Sequence, residues 1–393
     1  MILLSAIIAT FEADYLAQIG DAILPSQRNA LHALKTCRTS ASPLMRAQCE
    51  DCGHAELIPH SCGHRACPHC QHHESQQWIE RQLAKQVPAT YFLLTFTVPE
   101  ALRALVWANQ QALYDQMIRA SWETVRTFAR NDTALQGDAG AIAVLHTHSR
   151  RLDFHPHVHL VVPGAAIDPD KKLWRTKRGY LFNHKALAKV FRAKLLAGIA
   201  AEGLALPAGV PSTWVVDCKS VGRGEKALVY LGRYLYRGVI PEQDIVACKN
   251  GQVTFRYRHA KRKRFEYRTL PGARFLALVL QHVLPKGFMR SKGLCGECRW
   301  RAAAIFLIST DCGESTVGSL RIRLPSFFPS VEGEQHVGRV LQTPIHASQA
   351  SLRSCRSLPG RLRLSPRGGG LQPRQGQGLP ARYRATFRLG RTD

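Results

Sequence analysis

Residues 141–164 read AIAVLHTHSRRLDFHPHVHLVVPG. AIAVLHTH (141–148) and HVHLVVPG (157–164) are apolar, β-branched runs. The polar SRRLDFHP between them turns the chain back, which predicts two adjacent antiparallel strands. Side chains alternate along a strand, so His157 and His159 share a face while Val158 points to the core. His146 and His148 also share a face, and the turn folds them toward the first pair. An isolated His-x-His is usually just the polar side of a half-exposed strand. Four histidines on facing strands instead resemble a divalent-metal site, because a neutral imidazole held on a rigid strand is a good ligand.

Working outward, YFLLTFTV (91–98) is a buried strand stopped by Pro99, and residues 100–130 have the apolar spacing of one long helix. Downstream, residues 173–182 suggest a hairpin, about 184–202 a helix, 214–221 a strand, 225–236 a helix, 251–270 a second hairpin and 272–284 a helix. Strands interleaved with helices and closed by hairpins predict an α+β fold on an antiparallel sheet. On the helix at 225–236, Tyr230 and Tyr234 stand one turn apart on one face and can address one site; Tyr236 falls elsewhere.

Ahead of this lies a Cys- and His-rich stretch with little periodicity. Cys49-x2-Cys52 and Cys67-x2-Cys70 are separated by 14 residues, the arrangement of two thiolate knuckles closing on one tetrahedral Zn²⁺. Four thiolates leave no position for water, so the ion is structural. Cys62, His54, His64 and His69 lie close by as substitutes. The apolar start, Met1 to Thr10, is short and lacks a basic flank. It does not read as a signal peptide, so a cytoplasmic setting with reduced cysteines is expected. Six of the 12 cysteines fall between Cys37 and Cys70, a clustering that there argues for metal rather than disulfides. The chain is strongly basic, with 54 Lys and Arg against 28 Asp and Glu, a net charge of +26. That field suits a polyanion such as DNA. No apolar run approaches the ~20 residues of a membrane span, so no membrane partner is expected.

The segments HPHVHLVVPGAAI, VYLGRYLYRG and LQHVLPKGF, with CPHC upstream, resemble the IS-ninety-one family of rolling-circle insertion-sequence transposases, two-tyrosine members of the HUH single-strand endonucleases (U is a hydrophobic residue). The resemblance runs from about residue 20 to 290. It implies an antiparallel-sheet HUH nuclease domain with flanking helices, His157 and His159 as ligands of a catalytic Mg²⁺ or Mn²⁺, and Tyr230 and Tyr234 as nucleophiles. The reaction it implies cuts and rejoins single-stranded DNA at transposon ends through a 5′-phosphotyrosine, on the bacterial nucleoid, with self-association a further expectation. Many members carry Thr-Trp-Gly-Gln before the HUH strand, where this chain has Thr147-His148-Ser149-Arg150; His148 is taken as third ligand, with His146 in reserve. A plasmid replication initiator or relaxase would use the same residues, and a decayed DNA-binding remnant is the alternative from another class.

The expected organisation is a small zinc-binding domain with N-terminal helices over 1–85, the nuclease domain over 86–290 and a basic tail over 291–393. Residues 293–393 hold 15 Arg and no Lys, whereas residues 1–292 hold 24 Arg and 15 Lys. Selection for a basic arm would not exclude lysine, so a frameshifted or disordered tail with no native domain is expected.

Overall fold

The computed structural model describes residues 1–49, 52–168, 173–179, 181–259, 262–295, 320–321 and 362–366. In chain order it begins with helices α1 (Leu4–Ile19) and α2 (Pro25–Thr36), the hairpin β1 (Leu44–Cys49) and β2 (Ala55–Pro59), and helix α3 (His72–Leu83). There follow β3 (Tyr91–Thr97), α4 (Arg103–Ala108), α5 (Gln110–Asn131), β4 (Gly140–His148), β5 (Phe154–Pro163), β6 (Ala165–Asp168), β7 (Leu173–Thr176) and α6 (His184–Ala201). Next come β8 (Val216–Ser220), α7 (Glu225–Tyr236), β9 (Ile245–Lys249), β10 (Gln252–Arg258), β11 (Phe265–Pro271), α8 (Gly272–Leu280) and β12 (Ser291–Cys295). Two short strands, β13 (Leu320–Arg321) and β14 (Leu362–Pro366), pair with β7 and β1.

The central sheet has the order β12-β4-β5-β3-β8, and every pairing in it is antiparallel. The α+β expectation therefore holds, with the His-x-His strand β5 between β4 and β3. Alternation sorts the sheet's two faces. Val158, Leu160 and Val162, with Ala143 and Leu145, face α5 and α6, where Leu113, Met117, Leu187 and Phe191 complete a dry core. Burying each such side chain contributes about 1.5–3 kcal/mol. Val144 and Val161 emerge on the other face and meet Trp78 and Ile79 of α3 and Leu228 and Leu231 of α7. The histidines of β4 and β5 belong to this second face, under α7.

Gly232 explains how α7 comes so near. A Cβ there would lie 2.4 Å from Cγ1 of Ile79 and 2.8 Å from Cε3 of Trp78, so only glycine lets α3 press onto the tyrosine helix. Ser75 Oγ then donates to the Gly232 carbonyl at 3.2 Å.

A second core joins the N-terminal helices to the β10 and α8 region: Ile7, Ile8 and Leu31 pack with Val253, Phe255, Phe275 and Leu276. The packing thus crosses residue 85, and the central sheet takes β12 from beyond residue 290.

Three local expectations differ. The long helix over 100–130 is broken at Asn109 (φ −124°, ψ 46°), whose side-chain amide donates to the Leu105 carbonyl at 3.1 Å. Asn competes for backbone in this way and so interrupts helices. Residues 173–182 contribute β7, paired with β6, rather than a hairpin of their own. The hairpin over 251–270 gains a third strand, β9, along β10. The expectation of a non-native tail lies, past Cys295, outside the described residues apart from β13 and β14.

Candidate functional site

β4 and β5 deliver three imidazoles to one point. His146 stands directly across from His157, and Val144 across from His159, so all four side chains project from the same face. The ring nitrogens of His146, His157 and His159 available to a metal all lie within 4.8 Å of one another. Their ring centroids are 4.3 Å (His146–His159), 4.9 Å (His157–His159) and 5.1 Å (His146–His157) apart.

The register does not bring His148 to this point. It shifts between His146 and His148, a bulge around Thr147, and His148 pairs with Phe154 instead. A bulge re-aims the side chains beyond it. The His148 ring lies 5.0 Å from Tyr234 and 5.2 Å from His282, and its Nδ1 donates to the Ser149 carbonyl at 3.1 Å. His146, held in reserve on sequence grounds, is the histidine that completes the trio.

The donor set fits a metal. Nε2 of His146 is buried without a hydrogen-bond partner among the described residues, which is costly unless something coordinates it. Nδ1 of His157 donates to the His155 carbonyl at 2.7 Å, which leaves the Nε2 lone pair free. Nδ1 of His159 is 3.0 Å from Oγ1 of Thr95, a hydroxyl able to accept its proton in the tautomer that leaves Nε2 free to ligate. Such outer partners orient ligating rings. Burial holds the imidazoles neutral, the form that ligates: His157 falls to about 3 and His159 to about 4, while His146 sits well below the usual histidine range.

α7 lies over this group, with the span expected from its sequence. Tyr230 is exposed (55%), its ring 6.4 Å from that of His146. Tyr234 is tucked in: its ring stacks on His146 at 3.3 Å, and its hydroxyl accepts the Thr147 backbone N–H at 3.4 Å. Burial pushes its phenol up to about 12, against the pull of Arg290, whose guanidinium lies 6.0 Å from the ring. Arg290 also donates to the Leu235 carbonyl at 3.3 Å and so ties the end of α7 to the start of β12. It was not singled out in the sequence, where it reads as one more basic residue. His146, His157, Tyr230 and Tyr234 line a cleft of about 1020 Å³, together with Lys226, Arg233 and Arg237.

The cysteine site also differs from its expectation. Cys67 and Cys70 do gather, but with Cys37 and Cys62, the four sulfurs lying within 4.8 Å of one another. Individual separations are 3.2 Å (Cys37–Cys70), 3.5 Å (Cys37–Cys67) and 3.8 Å (Cys62–Cys70). Thiolates at about 2.3 Å from a tetrahedral Zn²⁺ stand at nearly these spacings. Cys52 is exposed and outside the group, and the Cys49 side chain lies outside the described residues. Cys37 caps α2, whose packing in the second core carries it to the Cys67–Cys70 turn. Mutual hydrogen bonding of the thiols lowers Cys37 to about 7 and lowers Cys70, while it raises Cys62 and Cys67. Of the nearby histidines, His69 faces Glu242 at 3.2 Å, which raises its proton affinity.

A family model described as "Transposase zinc-binding domain" matches residues 7–98, and one described as "Putative transposase" matches residues 140–299. "Putative transposase y4qJ" of Sinorhizobium fredii (strain NBRC 101917 / NGR234) is 33% identical over 311 residues, covering 71% of this chain and 78% of that protein. The chain belongs to this transposase family. "Transposase for insertion sequence element IS801" of Pseudomonas savastanoi pv. phaseolicola is 29% identical over 274 residues, 64% of this chain and 65% of that transposase. Among solved structures, the conjugative relaxase TrwC in complex with oriT DNA, metal-bound, is 15% identical, with a TM-score of 0.25 over 49% of this chain and 72% of that one. Membership makes this chain an enzyme acting on DNA, the IS-ninety-one resemblance having pointed to the same family. No helix among the described residues is long and apolar enough to cross a membrane.

Proposed function

We propose that this transposase cuts and rejoins single-stranded DNA at insertion-sequence ends, in rolling-circle transposition, through a covalent 5′-phosphotyrosine. One observation carries the reading: a trio of neutral imidazoles, His146 buried and His157 partly so, lies under a helix bearing two tyrosines, beside a basic cleft. His146, His157 and His159 would hold a divalent ion there, and their nitrogen donors favour Mn²⁺ over Mg²⁺. When bound, the ion stabilises charge on the phosphoryl oxygens.

The exposed Tyr230 is the residue a DNA strand meets first. Its oxygen bonds to the phosphorus as its proton passes, through water, to the departing 3′ oxygen. The bond from phosphorus to the 3′ oxygen breaks, and that oxygen departs as a 3′-hydroxyl. Tyr234, released from Thr147, then serves a second cleavage, while Lys226, Arg233 and Arg237 neutralise the backbone. Cys37, Cys62, Cys67 and Cys70 would bind a structural Zn²⁺ with no open position for chemistry.

The test incubates the full chain with labelled single-stranded oligonucleotides spanning the element's two ends, with Mn²⁺. The expected result is a denaturant-stable protein–DNA adduct bearing label 3′ of the cut. Tight binding with no adduct under any divalent ion would instead favour a decayed DNA-binding remnant.

A further inference from the structure

The strand pattern of β10 and β11 is two-sided in an unusual way. Val253 and Phe255 turn into the second core. The opposite face carries Arg256 across from Tyr267 and Arg258 across from Phe265. Exposed strand positions are ordinarily polar, yet Phe265 is 56% and Tyr267 63% exposed. Two large rings left in water on one face of a sheet mark a binding surface more often than a packing accident. The cleft lined by His146, His157 and Tyr230 is also lined by Arg256, Arg258 and Phe265, so the face continues from the candidate site.

We propose that the outer face of the β10–β11 hairpin is a platform for single-stranded DNA, with Phe265 and Tyr267 stacking on bases and Arg258 contacting phosphate. The charge is complementary. Asp244, Asp153 and Glu266 are each engaged by an arginine, at 2.8 Å (Arg256), 2.7 Å (Arg268) and 3.0 Å (Arg262). Among the described residues Arg150, Arg258 and Lys263 have no carboxylate partner, so the surplus is positive. The Arg256 guanidinium carbon sits 5.0 Å from the centre of the Phe265 ring and holds that ring in place.

Spacing selects the strand state. Rings two residues apart on a β-strand stand about 7 Å apart. Bases in a duplex repeat at about 3.4 Å per strand and are stacked on each other, so both rings can be occupied only by an extended, unpaired strand. Stacking is tolerant of sequence because every base has a π-face. The platform rests on the cleft being a single-strand site, as proposed above, but needs no cleavage to operate.

The experiment measures affinity of the full chain for a fluorescein-labelled single strand of mixed sequence and for its duplex. It is run in wild type and in the Tyr230→Phe/Tyr234→Phe protein, each with and without Phe265→Ala and Tyr267→Ala. The single-strand Kd is expected to rise roughly tenfold per ring removed. Duplex affinity and the thermal midpoint should stay unchanged, and Phe265→Trp should retain binding. Ultraviolet cross-linking of an iododeoxyuridine-substituted strand should label the peptide holding Phe265 and Tyr267. Single-strand affinity unmoved by the double alanine variant, or an equal loss on duplex, overturns the platform. So does loss of self-association with DNA binding intact. A wild type that binds through these rings but never forms an adduct counts against the cleavage reading and for this one.

Discussion

The phenol ring of Tyr234 lies flat on the imidazole of His146, their centroids 3.3 Å and their planes 18° apart. Strand β4 and helix α7 therefore hold the candidate metal site and a candidate nucleophile as one stacked unit. His148 touches the same tyrosine from 5.0 Å but stands outside the imidazole trio. Alanine at His146, His157 or His159 is expected to abolish Mn²⁺ binding and adduct formation. His148→Ala should retain the metal and lose much less activity. Manganese titration of the four variants decides it; a His148→Ala protein that no longer binds Mn²⁺, beside a His146→Ala protein that does, would restore the ligand first chosen from sequence.

The tyrosines are tested by removing only their hydroxyls. Phenylalanine keeps the stacking on His146 and the packing of α7, so Tyr230→Phe/Tyr234→Phe should bind single strands normally and form no adduct. Because Tyr230 is exposed while Tyr234 is held by Thr147, Tyr230→Phe alone should remove most of the first-turnover adduct. Undiminished adduct in the double variant would eliminate both residues.

For the cysteines, Cys37→Ser or Cys62→Ser should release one zinc per chain and lower the unfolding midpoint sharply, since binding energy in such sites is folding energy. Cys52→Ser should leave zinc content unchanged. Elemental analysis of the purified proteins reads this directly, and a zinc-free Cys52→Ser protein would return the ligand set to the two Cys-x2-Cys pairs.

These two sites show what alternation and spacing convey and what they miss. The face shared by His157 and His159 follows from the two-residue period of any strand, and α7 from its apolar stripe. The third imidazole is set by the register that puts His146 across from His157, and the bulge at Thr147 re-aims His148; neither strand encodes that pairing alone. Two knuckles of matching spacing made Cys49 and Cys52 the natural partners of Cys67 and Cys70. Cys37 ends a helix whose position is set by Phe275 and Leu276, more than two hundred residues away. The close pairing Cys62-x4-Cys67-x2-Cys70 was the signal available. The break at Asn109 was visible as a residue with poor helix preference, but the apolar periodicity runs straight through it.

Gly232 tests whether α3 positions the tyrosines. Alanine gains about 1 kcal/mol of helix propensity, but its Cβ would strike Ile79 and Trp78, and overpacking of this kind typically costs about 1–3 kcal/mol. Gly232→Ala should be destabilised on balance and lose adduct formation as α7 shifts off the histidines. Ile79→Ala in the same chain should recover part of both by making room. Urea unfolding of the two singles and the double gives the coupling. Strict additivity would mean that the helices do not meet as described.

His282 supplies a pH test away from the imidazole trio. It is 1% exposed, its Nε2 donates to the Leu152 carbonyl at 3.0 Å, and its Nδ1 is buried without a hydrogen-bond partner among the described residues. Burial first, then the nearby His148, hold its proton affinity well below the ordinary histidine range. An unfolded chain takes up this proton near pH 6.5 while the folded one refuses it. The unfolded state thus binds more protons below pH 6.5, and stability must fall as pH drops. The loss approaches about 1.4 kcal/mol for each pH unit below 6.5, and above that pH the residue adds no slope. His282→Gln keeps an N–H donor for Leu152 and removes the titrating group. It should be less stable than wild type at pH 7.5, yet show a shallower decline between pH 6.5 and 5. Urea midpoints of the two proteins across that range make the comparison. Parallel declines would show that His282 is protonated as readily in the fold as in the unfolded chain, and that its pocket opens to water.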